Sequence, residues 1–303
     1  LVGQNISSTG TMAILFFYYT KWKPTFFFSI QSFKTLFGFG SKLLITGTVA
    51  TIFNNITTIA IGKLYKSNEL GFYTRASQFT EMIAWTINDV LGNVTFPVLS
   101  ELQNEKDRML SVYKKSLFYS SLITFPIMIL LAILAKPLVI VLLTDKWLPC
   151  VPLIQILCLA RMLTPLSAIN MNLLNAIGRS DLYMKVDLSK LPLECIILAI
   201  TIPLGIKAIV IGNLIATIIC FFINGYYPKK FFNYGGWEQL KDSAKIFLAL
   251  IFMGGTTYFS LSFFQNHNAQ LLIGSLIGGI IYLLCCYMLR IIDFKIIYQK
   301  FNN

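Results

Sequence analysis

Glu81, Asp89 and Arg161 are the charged residues set deepest within apolar stretches of this sequence. Each belongs to a run of polar residues at three- and four-residue steps, which is one face of an α-helix. Around the two acids the run is Gln78, Glu81, Trp85, Asn88 or Asp89, and Gly92 or Asn93. Around the arginine it is Arg161, Thr164, Ala168, Asn172 and Asn175. A third run, Thr48, Thr51, Asn55 and Thr58, has hydroxyls and an amide but no charge. A guanidinium can hold a carboxylate or a phosphate through paired hydrogen bonds. A carboxylate can carry a proton or coordinate a cation, and amides and hydroxyls can replace water around a polar solute. The chemistry on offer is binding and release.

Residues for bond-making chemistry are sparse. The single histidine, His267, lies in a polar loop with Gln265, Asn266 and Asn268, where a solvated role is expected. The six cysteines (Cys150, Cys158, Cys195, Cys220, Cys285 and Cys286) have no CxxC spacing and lie in or beside apolar segments. They read as small hydrophobes, with no metal or redox site. There is no DxD pair, HExxH or Walker A loop. No catalytic residue, metal or cofactor is expected, so an enzyme is not the favoured class. Tyr183, Lys185 and Asp187 lie at a helix start and read as interface residues.

The elements that must position these residues are membrane spans. Apolar residues make up 56% of 303, charged residues 13%, and the mean hydropathy is +0.69. Soluble domains carry about 25% charged residues. Apolar stretches of about 20 residues match a bilayer core, and nine are predicted: 1–20, 41–62, 77–99, 117–144, 150–177, 183–203, 206–226, 244–263 and 270–290. The fold class is all-α, a polytopic transmembrane helical bundle. Pro97, Pro126, Pro137, Pro165 and Pro192 fall in or near these stretches, where kinks are tolerated if neighbours satisfy the freed backbone. Gly274 and Gly278 predict close helix packing. The first residues already read as a span without a leader, so a fragment lacking N-terminal spans is expected.

The net charge of +12 does not point to nucleic acid, since no basic stripe with interleaved aromatics exists. Instead the cations alternate. Placing 21–42, 100–116, 178–190, 227–245 and 290–303 on the cytoplasmic side leaves only Lys63, Lys66, Arg75, Lys136, Lys146 and Lys207 opposite, with Arg161 inside a span. This positive-inside bias predicts a cytoplasmic C-terminus. Interior polar residues are costly in hydrocarbon and mark bundle interiors or wet cavities. With two acids and an arginine among them, a hydrated cavity is the expected reading over plain interhelical hydrogen bonding. Glu194 is ambiguous and pairs in one reading with Lys190.

The run LGFYTRASQFTEMIAWTINDVLGNVTFPVLSELQNEKDRMLSVYKKSL (Leu70–Leu117) closely resembles the polysaccharide exporters of the Wzx type. So does FPIMILLAILAKPLVIVLLTDKWLPCVPLIQILCLARMLTPLSAINMNLLNAIGRSDL (Phe125–Leu182), and FGFGSKLL (Phe37–Leu44) matches the entry to that family's second lobe. These flippases belong to the multidrug/oligosaccharidyl-lipid/polysaccharide superfamily. The resemblance implies two six-helix lobes around a central cavity, often with two further helices. On that map 1–20 is the last helix of the first lobe, 21–40 the inter-lobe linker, 41–226 the second lobe, and 227–303 the two additional helices and tail. Five helices would precede the chain.

The resemblance further implies a bacterial inner-membrane transporter that exports undecaprenyl-pyrophosphate-linked oligosaccharide by alternating access, among membrane lipids and in contact with polysaccharide polymerase machinery. A cavity of amides and hydroxyls (Thr51, Asn55, Asn88, Asn172 and Asn175) would solvate the sugar, and Arg161, with Lys42 and Arg75 nearer the two ends, would hold the pyrophosphate. The family commonly has a small residue where Arg161 stands, so pairing with Glu81 or Asp89 is the alternative. Glu81 and Asp89 are the ion-coupling candidates, about 12 Å apart along one helix face. A drug or lipid II transporter of the same superfamily, and a membrane glycosyltransferase or O-antigen ligase, are the competing functions.

Overall fold

The computed structural model describes residues 2–20, 29, 30, 37, 48, 51, 52 and 55–291. The chain divides into two compact units, Leu1–Ile56 and Thr57–Asn303. Helix α1 (Val2–Thr20) belongs to the first. From Ile56 onward the helices are α2 (Ile56–Leu64), α3 (Ser67–Glu101), α4 (Lys106–Ile133), α5 (Ala135–Leu143), α6 (Cys150–Met162), α7 (Thr164–Ala176) and α8 (Ser180–Thr201). They continue with α9 (Ile206–Asn224), α10 (Tyr226–Phe232), α11 (Gly236–Asp242), α12 (Ala244–Leu261) and α13 (His267–Met288). No strand occurs among the described residues. In lipid every backbone N–H and C=O must be satisfied within the segment, and a helix does that.

Five helices or kinked pairs are long and apolar enough to cross a membrane by length and composition: Lys106–Ile133, Cys150–Ala176, Ile206–Phe232, Ala244–Leu261 and His267–Met288. Three others, α1, α3 and α8, are long enough at 19, 35 and 22 residues but carry more polar side chains. The predicted span 41–62 lies mostly outside the described residues, α2 being its visible end. Hydropathy located the apolar centres but not the helix ends. The predicted 77–99 begins at Ser67, where Phe72 packs edge-on to Trp147 at 5.8 Å. The predicted 117–144 begins at Lys106. The stretch after 226, read as linker, contains α10 and α11.

Two of the prolines break their spans. The helix pauses at Leu134, three residues before Pro137, and at Leu163, two before Pro165. A proline removes one N–H and crowds the carbonyl four residues earlier, so the break falls just upstream. Pro97, Pro126 and Pro192 remain inside continuous helices. Gly178 and Gly205, at φ 74 and 97, turn the chain into α8 and α9 in a conformation that residues with a Cβ rarely adopt.

The kinked pair α6–α7 is the centre, packed by α3, α4 and α9. Its buried side chains include Leu153, Ile154, Leu157, Cys158, Leu166 and Ile169. Helix α3 runs parallel to it: Cys150 Sγ donates to the Phe72 carbonyl, Arg161 meets Glu81, and Asn172 lies opposite Gly92. Helices α12 and α13 form a hairpin against α4 and α5. There the predicted small-residue contact holds: a Cβ at Gly274 would meet a Leu134 methyl at 2.9 Å, and one at Gly278 would meet the Thr257 hydroxyl at 2.8 Å. Lipid tails are as apolar as leucine, so such close backbone approach holds membrane helices together. The outer surface carries Leu248, Ile251, Phe252, Leu276 and Ile280, all more than half or half exposed. A soluble protein does not display so many large apolar side chains together.

Candidate functional site

The candidate site is the seam between α3 and α6–α7. Arg161 occupies the last turn of α6, directly before the break at Leu163. Its Nη2 donates to Glu81 Oε1 at 2.8 Å, and the Ser77 hydroxyl donates to the same oxygen at 2.8 Å. The Arg161 side chain is 20% exposed and that of Glu81 39%. Arg161 Nε is buried without a partner among the described residues. Of the two alternatives open in the sequence, the arginine therefore meets Glu81. Asp89, two turns further along α3, is exposed and makes no ion pair among the described residues.

Below the ion pair the seam stays polar. Asn88 Oδ1 is buried with no partner among the described residues. A β-carbon at Gly92 would lie 3.8 Å from the Asn172 amide nitrogen. On α6–α7 the residues Arg161, Thr164, Ala168, Asn172 and Asn175 are all half-buried, whereas Met162, Leu166, Ile169, Leu173 and Leu174 are buried. The polar stripe read from spacing thus lies along one partly open face.

Other predicted residues stand elsewhere. Arg75 lies near the end of the bundle where α6 begins, 5.9 Å from the Trp147 ring, and donates to Gln78 Oε1 at 2.9 Å. It does not join Arg161. Asn55 donates its amide to the Thr51 carbonyl at 2.9 Å, within the first unit. Lys42 lies outside the described residues. Lys190 pairs with Asp187 at 2.7 Å, while Glu194 accepts from Cys220 Sγ at 3.7 Å. His267 Nδ1 lies 2.9 Å from Gln270 Oε1 at the start of α13. No group of three metal-ligating side chains forms among the described residues.

Sequence reasoning missed a buried polar cluster. Tyr113 of α4 donates to Asn170 Oδ1 at 2.5 Å, and Gln239 of α11 donates to Asn170 Oδ1 and to the Tyr113 oxygen, both at 3.1 Å. Asn170 returns a bond to Gln239 Oε1 at 3.2 Å. The available signal was that Asn170 falls off the polar stripe of its own span. Beside the cluster, burial and the Asp242 carboxylate that accepts its hydroxyl push the Tyr234 phenol well above its usual range.

An apolar-surfaced helical bundle with a polar, ion-paired seam between α3 and α6–α7 defines a multi-pass membrane protein. The chain belongs to the polysaccharide biosynthesis protein family, which matches residues 1–152. It is 29% identical over 165 residues to the teichuronic acid biosynthesis protein TuaB of Bacillus subtilis, covering 54% of this chain and 34% of TuaB. It is 23% identical over 192 residues to the lipopolysaccharide biosynthesis protein WzxC of Escherichia coli, covering 63% of this chain and 39% of WzxC. The lipid II flippase MurJ, in an inward closed conformation, shares the fold with a TM-score of 0.67 at 20% identity, over 92% of this chain and 57% of the MurJ chain. The chain therefore spans a third to somewhat over half of the length of these relatives.

Proposed function

We propose that the protein carries a lipid-linked oligosaccharide, of the undecaprenyl-pyrophosphate class, from the cytoplasmic to the outer leaflet of a bacterial inner membrane by alternating access. The observation that carries this reading is the partly exposed Arg161–Glu81 pair on a polar seam inside an apolar-surfaced bundle. An oligosaccharide with two phosphates cannot enter hydrocarbon unaided, because desolvating its charges and hydroxyls is too costly. Amides along the seam replace water around the sugar. The guanidinium, neutralised by Glu81 at rest, exchanges that carboxylate for the pyrophosphate when the seam opens, so a cation is never left bare. The family membership and the fold shared with MurJ support the same reading.

In this proposal α2 to α9 form one lobe, with the α12–α13 pair added at its flank. The end of the bundle bearing Lys114, Lys115, Lys185, Lys245 and Arg290 faces the cytoplasm, as the positive-inside bias requires. The test is deletion of the gene followed by leaflet-resolved analysis of lipid-linked repeat units. They should accumulate on the cytoplasmic face. Accumulation on the outer face would replace transport with a ligase or polymerase role.

A further inference from the structure

The first half of α4, the start of α12 and the end of α13 meet at one end of the bundle, where they line an open concavity of about 400 Å³. Lys114, Lys115, Lys245 and Arg290 all line it, with Phe118 and Tyr119 beside them. The Lys114 ammonium rests 4.6 Å from the Tyr234 ring. Lys115, Lys245 and Arg290 make no ion pair among the described residues. The one acid on the lining, Asp242, already accepts the Tyr234 hydroxyl at 2.7 Å. Four exposed cations converge on one open concavity with one exposed carboxylate beside them, so the concavity carries a net positive charge that complements an anion.

What surrounds the pocket identifies the anion's carrier. Below Tyr119 on α4, Ile123 and Ile127 continue the same exposed face at four-residue steps. Below Lys245 on α12, Leu248 and Phe252 do the same, and before Arg290 on α13 Leu283, Leu284 and Tyr287 are exposed. Apolar tracks therefore lead from the charged mouth into the hydrocarbon depth, which is the layout of a lipid with a charged head and apolar tails. This flank is separate from the α3/α6–α7 seam, and basic pockets between membrane helices favour anionic headgroups.

We propose that this pocket binds the phosphate headgroup of an anionic membrane phospholipid, its acyl chains lying along the exposed faces of α4 and α12. The lipid fastens the α12–α13 hairpin to α4 at the cytoplasmic surface. It is a site distinct from the cargo path, and it stands whether or not the cargo is an oligosaccharide.

The test compares the purified full-length protein in phosphatidylglycerol and phosphatidylcholine nanodiscs, with retained lipid read by native mass spectrometry after detergent extraction. Wild type should retain phosphatidylglycerol selectively. The Lys115→Ala/Lys245→Ala/Arg290→Ala variant should lose that retention by on the order of 100-fold, since each cation near an anionic lipid is worth roughly a factor of five. The charge-preserving Lys115→Arg/Lys245→Arg/Arg290→Lys variant should keep it, and carries the test if the alanine variant does not fold. Equal retention by wild type and the folded alanine variant overturns the proposal. So does selective retention of added undecaprenyl pyrophosphate in place of phosphatidylglycerol, which would assign the pocket to the cargo. For an unfolded alanine variant, loss of selectivity in the charge-preserving protein has the same force.

Discussion

Two polar clusters inside this bundle differ in one respect. At the α4/α7/α11 junction, Tyr113, Asn170 and Gln239 are 0%, 0% and 2% exposed, and their amides and hydroxyl bond one another in a closed set. At the α3/α6–α7 seam, Arg161 and Glu81 are 20% and 39% exposed, Arg161 Nε and Asn88 Oδ1 lack partners among the described residues, and Asp89 stands exposed. A satisfied, dry network fixes its helices, because moving any member orphans the others. A partly exposed set with unpartnered atoms is less constrained in this way. The first joins α4, α7 and α11, and the second is the surface assigned to cargo in the proposed function.

The first cluster should be the more costly to break. Asn170→Leu strands groups on both Tyr113 and Gln239, and each buried orphan costs about 1–3 kcal/mol. The expected loss is roughly 2–5 kcal/mol, read as a lowered midpoint of thermal denaturation in detergent. Adding Gln239→Leu should cost much less than it does alone, since the two share one network. Additive costs would show that the cluster is not a unit.

Arg161→Ala comes next. It leaves Glu81 without its cation, but because Glu81 is 39% exposed, water takes up much of the loss and the cost is about 1–2 kcal/mol instead of the 3–5 of a fully buried pair. Membrane abundance should fall, and Glu81→Gln in the same chain should restore it. Surface polysaccharide should stay absent in both. Recovered export in the double variant would make the pair purely structural. Normal export by a well-expressed Arg161→Ala protein would remove both roles.

Asp89→Asn should leave stability within about 0.5 kcal/mol, as for surface substitutions, yet slow export severalfold. Glu101→Gln, at the end of α3, should leave export near wild type. Equal rates for both would exclude coupling through Asp89.

The smallest effect belongs to a half-exposed pair in the turn between α7 and α8, a baseline for the other two. Arg179 Nε and Nη2 bond the Asp181 carboxylate at 2.9 and 3.0 Å, holding its carboxyl below the usual range. A depressed carboxyl contributes stability above its unfolded value and loses it as pH falls through the folded one. Arg179→Ala should therefore narrow the stability difference between pH 6 and acid only slightly. A large change would mean that the turn between α7 and α8 is less exposed than its geometry implies.

Composition and apolar length determined, without any coordinates, that this is an all-α membrane bundle, because lipid admits few ways of satisfying a backbone. Helical spacing likewise determined the polar stripe from Arg161 to Asn175 and the close packing at Gly274 and Gly278, since both follow from a fixed rotation per residue. Helix ends were not legible: Ser67 and Lys106 begin helices in polar sequence, where packing against distant residues such as Trp147 decides. Spacing also left Arg161 equally suited to Glu81, Asp89 or an anion. The parallel run of α3 beside α6–α7 selected Glu81, by setting which turn faces which. The Tyr113–Asn170–Gln239 cluster left only one trace in the sequence, Asn170 standing off its span's polar stripe, because its members come from three elements and are joined only when the chain brings them within hydrogen-bonding distance. The same holds for the basic pocket, whose cations are scattered over 177 positions of sequence, Lys114 to Arg290, and become one site only at the meeting of three helix ends.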